Sequence, residues 1–211
     1  RYAQALQELE PHESFPDLPL LAALEIGRFY SSHNKHGEAA QAYASLLGFM
    51  IRRDQAESKA PSAADVEAAL AAEKSPRVRE DILRVFANLR AARMHAPDSD
   101  RKATAAEWKS QRDLVAKFVG PDNELMAVAL SNSAANEEST AALPLFVRAA
   151  RIDFQRRDRG QFVHVFDSLA SRLGQLGLWN AKFVCVRASL AAHRAVLPSE
   201  LDPALLRTLA I

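Results

Sequence analysis

Six histidines, one cysteine and scattered carboxylates are the side chains in this 211-residue chain that could ligate a metal or move a proton. His33 and His36 stand three apart, close to Glu38, around what the flanking residues make a helix end and turn. A zinc ion needs three or four tetrahedral ligands, and no further His or Cys is near in sequence. The pair reads as a solvated turn, with His33 set against the negative end of a helix. His164, between Val163 and Val165, reads as a core-edge or interface residue. His95 and His193 fall near helix ends, and His12 lies in a proline-rich connector. None is matched with a Ser or Cys nucleophile and an orienting acid at the spacing of a catalytic triad.

The remaining candidates for chemistry read as ordinary structure. Asp98-Ser99-Asp100 is followed at once by Arg101 and Lys102, and it lacks the glycine and terminal glutamate of a calcium loop. Seven glycines, none clustered, leave no phosphate-cradling loop. Cys185 sits in Phe183-Val184-Cys185-Val186, where a thiol acts as a small buried hydrophobe. The expectation is a chain without catalytic residues, metal or cofactor.

Charge is the next pattern with chemical meaning. Arg148, Arg151, Gln155 and Arg159 fall three and four apart and make a basic stripe, broadened by Arg156 and Arg157 and interrupted by Asp153 and Asp158. Arg77, Arg84 and Arg90 with Lys74 form a thinner set in mid-chain. A basic stripe can hold RNA phosphates or an acidic peptide, although single-strand readers add exposed aromatics and only Phe154 is at hand. The bland reading is a solvated face or intersubunit ion pairs. Net charge is +1, so the whole chain has no general pull toward nucleic acid or acidic membranes. The last third is the basic part, with 10 Lys+Arg against 5 Asp+Glu from residue 141 onward.

Positioning these residues falls to helices. Alanine and leucine dominate, and no run alternates Val, Ile and Thr as a strand would. The class is all-α. Helix signals predict segments over about 19–33, 38–57, 62–74 and 76–94. Ser62 with Asp65 and Ser75 before Pro76 serve as N-terminal caps. A polar loop follows over 95–103, with Thr104 and Glu107 as a capping box for a helix reaching Val119. Gly120-Pro121 stops that helix, Asp122 caps the next, and 132–140 is a second break. Further helices are expected over about 142–158, 161–175, 178–196 and 203–210. These make ten helices, preceded by a short amphipathic opening segment over 1–10. The chain divides into a hairpin segment over 1–58, middle helices over 59–135 and a C-terminal group over 136–211, joined as one array.

Within the first segment, Tyr30 stands three residues after Gly27, Ala39 twelve after Gly27 and Tyr43 four after Ala39, with Ile26 and Leu46 at neighbouring apolar positions. This stretch, Ala23 to Met50, resembles a tetratricopeptide repeat, whose consensus sets G-x2-Y on one helix and A-x3-aromatic on the next. The resemblance implies that Gly27 and Ala39 let two helices approach while Tyr30 and Tyr43 fill the space beside them. No proline closes the unit near Ile51, which departs from the family pattern. A second hairpin, aligned on Gly160, places Phe162, Phe166 and Leu169 in equivalent positions, but Ala150 and Asp153 stand where the glycine and tyrosine belong. The alternative is a helical bundle containing one such hairpin.

What the resemblance implies is a stacked-hairpin α-solenoid that binds other protein subunits or peptides, as a scaffold or adaptor without catalysis. Arg28, Asn34, Lys35 and Gln41 are the polar positions beside the packing set that could face a partner. Trp108, Trp179 and Phe162 are candidate apolar anchors, with core packing as their other reading. RNA association through Arg148, Arg151 and Arg159 is the alternative function. The single cysteine offers no disulfide framework, and no apolar run approaches the ~20 residues that span a bilayer. An intracellular, soluble chain is expected, with cytoplasmic and organellar (including mitochondrial) locations both open. The chain opens at Arg1, so a removed targeting segment would leave no trace.

Overall fold

A computed structural model describes residues 18–52, 61–96, 101–156 and 159–196. Within these, the side chains of 18–20, 23, 52, 101–104, 139, 154, 159–162 and 195–196 are outside the description. The segments predicted over 1–10 and 203–210 also lie outside the described residues. The protein is all-helical: the described residues form nine helices and no strand. We number them α1 (Leu18–Ser32), α2 (His36–Arg52), α3 (Ala63–Ala72), α4 (Pro76–Met94), α5 (Arg101–Phe118), α6 (Glu124–Asn136), α7 (Ser139–Arg156), α8 (Arg159–Gln175) and α9 (Trp179–Val196).

Local chemistry sets most of the helix ends. Ser62 accepts from the Asp65 amide at 3.2 Å while the Asp65 carboxylate accepts from the Ser62 amide at 2.8 Å, a reciprocal cap that starts α3. Ser75 caps α4, with Pro76 in the first turn where its missing N–H costs nothing. Two ends differ from expectation. α5 begins at Arg101, so Thr104 lies inside the helix and the Thr104–Glu107 capping box is not its start. Arg101, Lys102 and Ala103 are good helix formers and extend the helix upstream. α6 is capped by Asn123, not Asp122, with the Asn123 side chain accepting from the Leu125 amide at 2.8 Å. The break expected over 132–140 narrows to Glu137 and Glu138.

The chain separates into two compact units, residues 1–119 and 120–211. The division falls at Val119/Gly120, where Gly120 takes a φ of +125° ahead of Pro121. In the first unit α1 packs on α2, α2 packs along α4, and α4 packs on α5. The short α3 touches α2, α4 and α5. The core here is Ala39, Tyr43, Leu46 and Leu47 of α2, Ile82, Leu83, Phe86 and Leu89 of α4, and Trp108 and Val115 of α5. Fully burying each of the larger apolar side chains contributes about 1.5–3 kcal/mol before entropy is counted.

In the second unit each helix packs on the next, α6 on α7, α7 on α8 and α8 on α9. Connections this short reverse the chain, so successive helices run antiparallel as hairpins. Leu125, Leu130, Phe146, Ile152, Val165, Leu169 and Val186 fill the interior, with Ala129, Ala142, Ala149 and Ala170 at the close crossings. Two hairpins, one in each unit, turn on the same kind of cap. The Lys35 amide donates to the Tyr30 carbonyl at 2.9 Å and the Asn34 amide to Ser31 at 3.1 Å, around an Asn34 φ of 58°. The Leu178 amide donates to Leu173 at 2.9 Å and the Gly177 amide to Gly174 at 3.0 Å, around a Gly177 φ of 71°. Both are Schellman caps, which satisfy the last carbonyls of a helix through one left-handed residue.

Candidate interaction surfaces

The residues singled out for helix packing meet in the α1/α2 hairpin. Gly27 is buried under the Tyr43 ring. A Cβ at Gly27 would stand 2.9 Å from Tyr43 Cδ1 and closer still to Cε1 and Cζ. Ala39 is buried at the same crossing and Tyr30 is half-buried. Burial raises the Tyr43 phenol pKa, opposed by the nearby Arg28 and by a hydrogen bond with the Ser31 side chain.

The polar residues around this hairpin are on its surface. Arg28, Asn34, Lys35 and Gln41 are all exposed. Arg28 pairs with Glu25 at 2.6 Å on the same helix, a solvated i,i+3 contact that contributes about 0–1 kcal/mol. Asn34 is the left-handed residue of the α1 cap, which accounts for its type without any partner. Phe29 is exposed between them, edge-on to Tyr30 and 4.2 Å between centroids from the His33 ring.

His33 and His36 do not form a pair. His33 Nδ1 lies 2.7 Å from the Phe29 carbonyl, while the His36 ring faces His95 of α4's cap, 5.3 Å between centroids. Burial of part of its ring, and then the charge of His36, hold His95 below its ordinary pKa. Among the described residues no three His, Cys, Asp or Glu groups converge as a metal site would require. Cys185 is buried, and burial pushes its thiol pKa up, which keeps it protonated. A cleft of about 340 Å³ lies between α3 and α5, lined by Glu67, Lys109, Ser110, Asp113 and Lys117 with two apolar neighbours. Its charges are mixed, and Lys117 already binds Glu67 at 2.7 Å.

Three residues weighed as surface candidates turn inward. Trp108 is fully buried in the α4/α5 core, so it is no surface anchor. Arg90 is buried too, and leaves the mid-chain basic set: its guanidinium lies over Phe86 and donates to the Glu107 carbonyl of α5. Asp153 is turned into the core of the second unit. Of the two acids that interrupt the Arg148–Arg159 stripe in sequence, Asp153 is therefore absent from its surface, where Arg148, Arg151 and Gln155 are exposed, and Asp158 lies outside the described residues. Arg148 also donates to the Pro121 carbonyl at 3.3 Å. The side chains of Arg159, Phe154 and Phe162 are outside the described residues.

The least expected surface belongs to α9. Leu178 at its N-terminus is 48% exposed, Trp179 52%, Phe183 62% and Val184 66%. Lys182, Cys185, Val186 and Ser189 on the opposite side are buried against α8. Ser189 donates to Asp167 of α8 at 2.6 Å and fixes the rotation of α9 about its axis. The Lys182 stem lies 3.2 Å from where a Gly174 Cβ would be, and its amine sits 5.2 Å from the Trp179 ring centroid. A cation over the indole face holds the ring in one orientation. Trp179 was one of the candidate anchors read from sequence and is exposed; Phe183 and Val184 were not singled out, because apolar residues recur on every side of α9 and its outer face is set by how it packs on α8.

Among the described residues no helix is long and apolar enough to cross a membrane. Comparison with protein-family models, with curated proteins and with solved structures found no match.

Proposed function

We propose that this chain is a non-catalytic protein–protein interaction module, a scaffold or adaptor subunit of a larger assembly. The observation that carries the reading is the outer face of α9. Trp179 and Phe183, one helical turn apart, are each more than half exposed beside Leu178 and Val184. Aromatic anchors held in place and ringed by polar groups are what a protein partner's pocket or helix recognises. The α1/α2 hairpin supports the same reading as a tetratricopeptide-like unit, since Gly27 and Ala39 lie at the crossing and Tyr43 fills it. An intracellular setting agrees with a lone, buried cysteine.

Affinity capture from native lysate, with the full chain as bait, tests the reading. A stoichiometric protein set that survives nuclease and high salt supports it; no protein recovered above background overturns it. RNA association through α7 is the second reading, favoured by exposed Arg148 and Arg151 and by the inward turn of Asp153. Recovery of RNA that is lost with Arg148→Glu/Arg151→Glu would put it first.

A further inference from the structure

α9 carries Lys182, Arg187, His193 and Arg194 and not one Asp or Glu along its 18 residues. At about 100° per residue, Trp179, Phe183, Arg194, Arg187, Ala191 and Val184 share one arc of about 140°. All six are exposed, whereas Lys182, Cys185, Val186 and Ser189 fill the opposite arc. The outer face is thus an aromatic and aliphatic strip with two guanidinium groups on its midline and the exposed Asn180 beside them. Neither Arg187 nor Arg194 has an ion-pair partner among the described residues.

We infer that this face of α9 is the docking site for an acidic amphipathic helix of a partner protein, a conclusion that rests on the interaction-module reading. The apolar strip needs a helix with anchors at i, i+3, i+4 and i+7 to cover it. Arg187 and Arg194, seven residues apart, stand about 10.5 Å from each other along the axis. They match a partner whose Asp or Glu residues recur every seventh position beside its apolar stripe, as flanking charges do in paired helices. A second copy of this chain is a poor occupant. A two-fold contact through the face would set cationic helices against each other with no acid on either to offset them. A nucleic-acid strand uses aromatic faces and cations but leaves Leu178 and Val184 uncovered.

Trp179 is pre-positioned for this role. Lys182 is buried beside Gly174 and its amine lies against the indole, so the ring loses little freedom when a partner docks.

The test is selection of helical peptides from a displayed library on the full 211-residue chain. The expected result is enrichment of amphipathic sequences with acids at seven-residue spacing. Trp179→Ala and Phe183→Ala should each weaken a selected peptide by about tenfold or more. Arg187→Glu/Arg194→Glu should turn the selection from acidic to basic sequences. All four positions are exposed, and unchanged helical circular dichroism and melting would show that the variants stay folded. Selection with no acid preference, or binding indifferent to Phe183→Ala, overturns the proposal. So does tighter binding of oligouridylate or phosphatidylserine vesicles through the same residues, or dimerisation abolished by Phe183→Asp. The two levels of the reading are separable. If proteins captured from lysate persist with Phe183→Asp, the module stands and the α9 site falls; if neither peptide nor protein binds, both fall.

Discussion

The Arg90 guanidinium lies 4.0 Å from the Phe86 ring centroid and donates to the main-chain carbonyl of Glu107, which ties α4 to α5 through a charge with almost no access to water. Burial is the main cause, with Glu107 opposing and Arg93 adding, of an Arg90 pKa pushed down to about 10. A buried cation satisfied by one carbonyl and one ring is often no better than an apolar side chain of the same length. Arg90→Met should therefore be neutral or stabilise the first unit by about 1–4 kcal/mol, while Arg90→Ala should cost about 2–4 kcal/mol through the lost packing. The sign with pH is fixed. Below pH 10 the guanidinium is charged in both states and its burial cost is complete. As pH rises from about 10 toward the ordinary arginine range, the unfolded chain binds more protons, so that cost declines. Urea melts of wild type and Arg90→Met at pH 7 and above pH 10 check both points: the advantage of methionine should narrow at the higher pH.

Gly27 and Gly48 give opposite outcomes for one chemical change. A methyl at Gly27 collides with the buried Tyr43 ring, whereas a Cβ at Gly48 of α2 meets nothing within 4 Å. Gly48→Ala gains the helix preference of alanine, about 0.5–1 kcal/mol. Gly27→Ala makes the same gain but forces overpacking of about 1–3 kcal/mol, so it should be net destabilising. Thermal melts of the two variants should shift in opposite directions. Equal upward shifts would mean that the α1/α2 crossing is looser than Gly27 and Tyr43 imply.

What the sequence made legible follows the range of the interactions. Ser62, Ser75-Pro76, Gly120-Pro121 and Gly177 act on their own backbone within a few residues, and each marks its boundary from sequence alone. Thr104 and Asp122 failed for a local reason too: a capping pattern fits equally well inside the first turns of a longer helix, or one residue before a better cap. Arg90 and Asp153 carried a readable signal that their charge obscured. Arg90 follows Ile82, Phe86 and Leu89 at apolar spacing, and Asp153 follows Phe146, Ala149 and Ala150 in the same way. The α9 surface was only partly legible, because Trp, Phe, Val, Cys and Leu recur on every side of this helix and its inside is settled when α8 supplies Asp167 and Gly174.

His36 and His95 come from α2's first turn and α4's cap, and their rings are 5.3 Å apart. His95 is held below 6.5 by burial and by the charge of His36, so the unfolded chain takes up its proton first as pH falls. Stability from this contact is complete above 6.5 and is lost as pH drops through that value to the lower folded one. His95→Gln, neutral at every pH, should flatten the dependence of melting temperature between about pH 5 and 7. His36→Gln should raise the His95 midpoint toward 6.5 in a proton NMR titration. A His95 midpoint unmoved by that change would remove His36 as a cause.

Asn34 and Gly177 occupy the same left-handed position in two hairpins, and this separates the structural from the functional claim on Asn34. A side chain with a Cβ in that conformation costs about 1–2 kcal/mol, less for asparagine, and nothing for glycine. Asn34→Gly should therefore leave stability unchanged or slightly raised, and Gly177→Ala should lower it by about 1 kcal/mol. Because Asn34→Gly keeps the Schellman cap but deletes the amide, it reads out partner binding alone. If the α1/α2 surface of Arg28, Asn34, Lys35 and Gln41 holds a partner, capture should weaken for Asn34→Gly and Lys35→Glu while melting stays at the wild-type value. Intact capture with both variants would leave Asn34 with its helix-ending role only, and would concentrate recognition on α9.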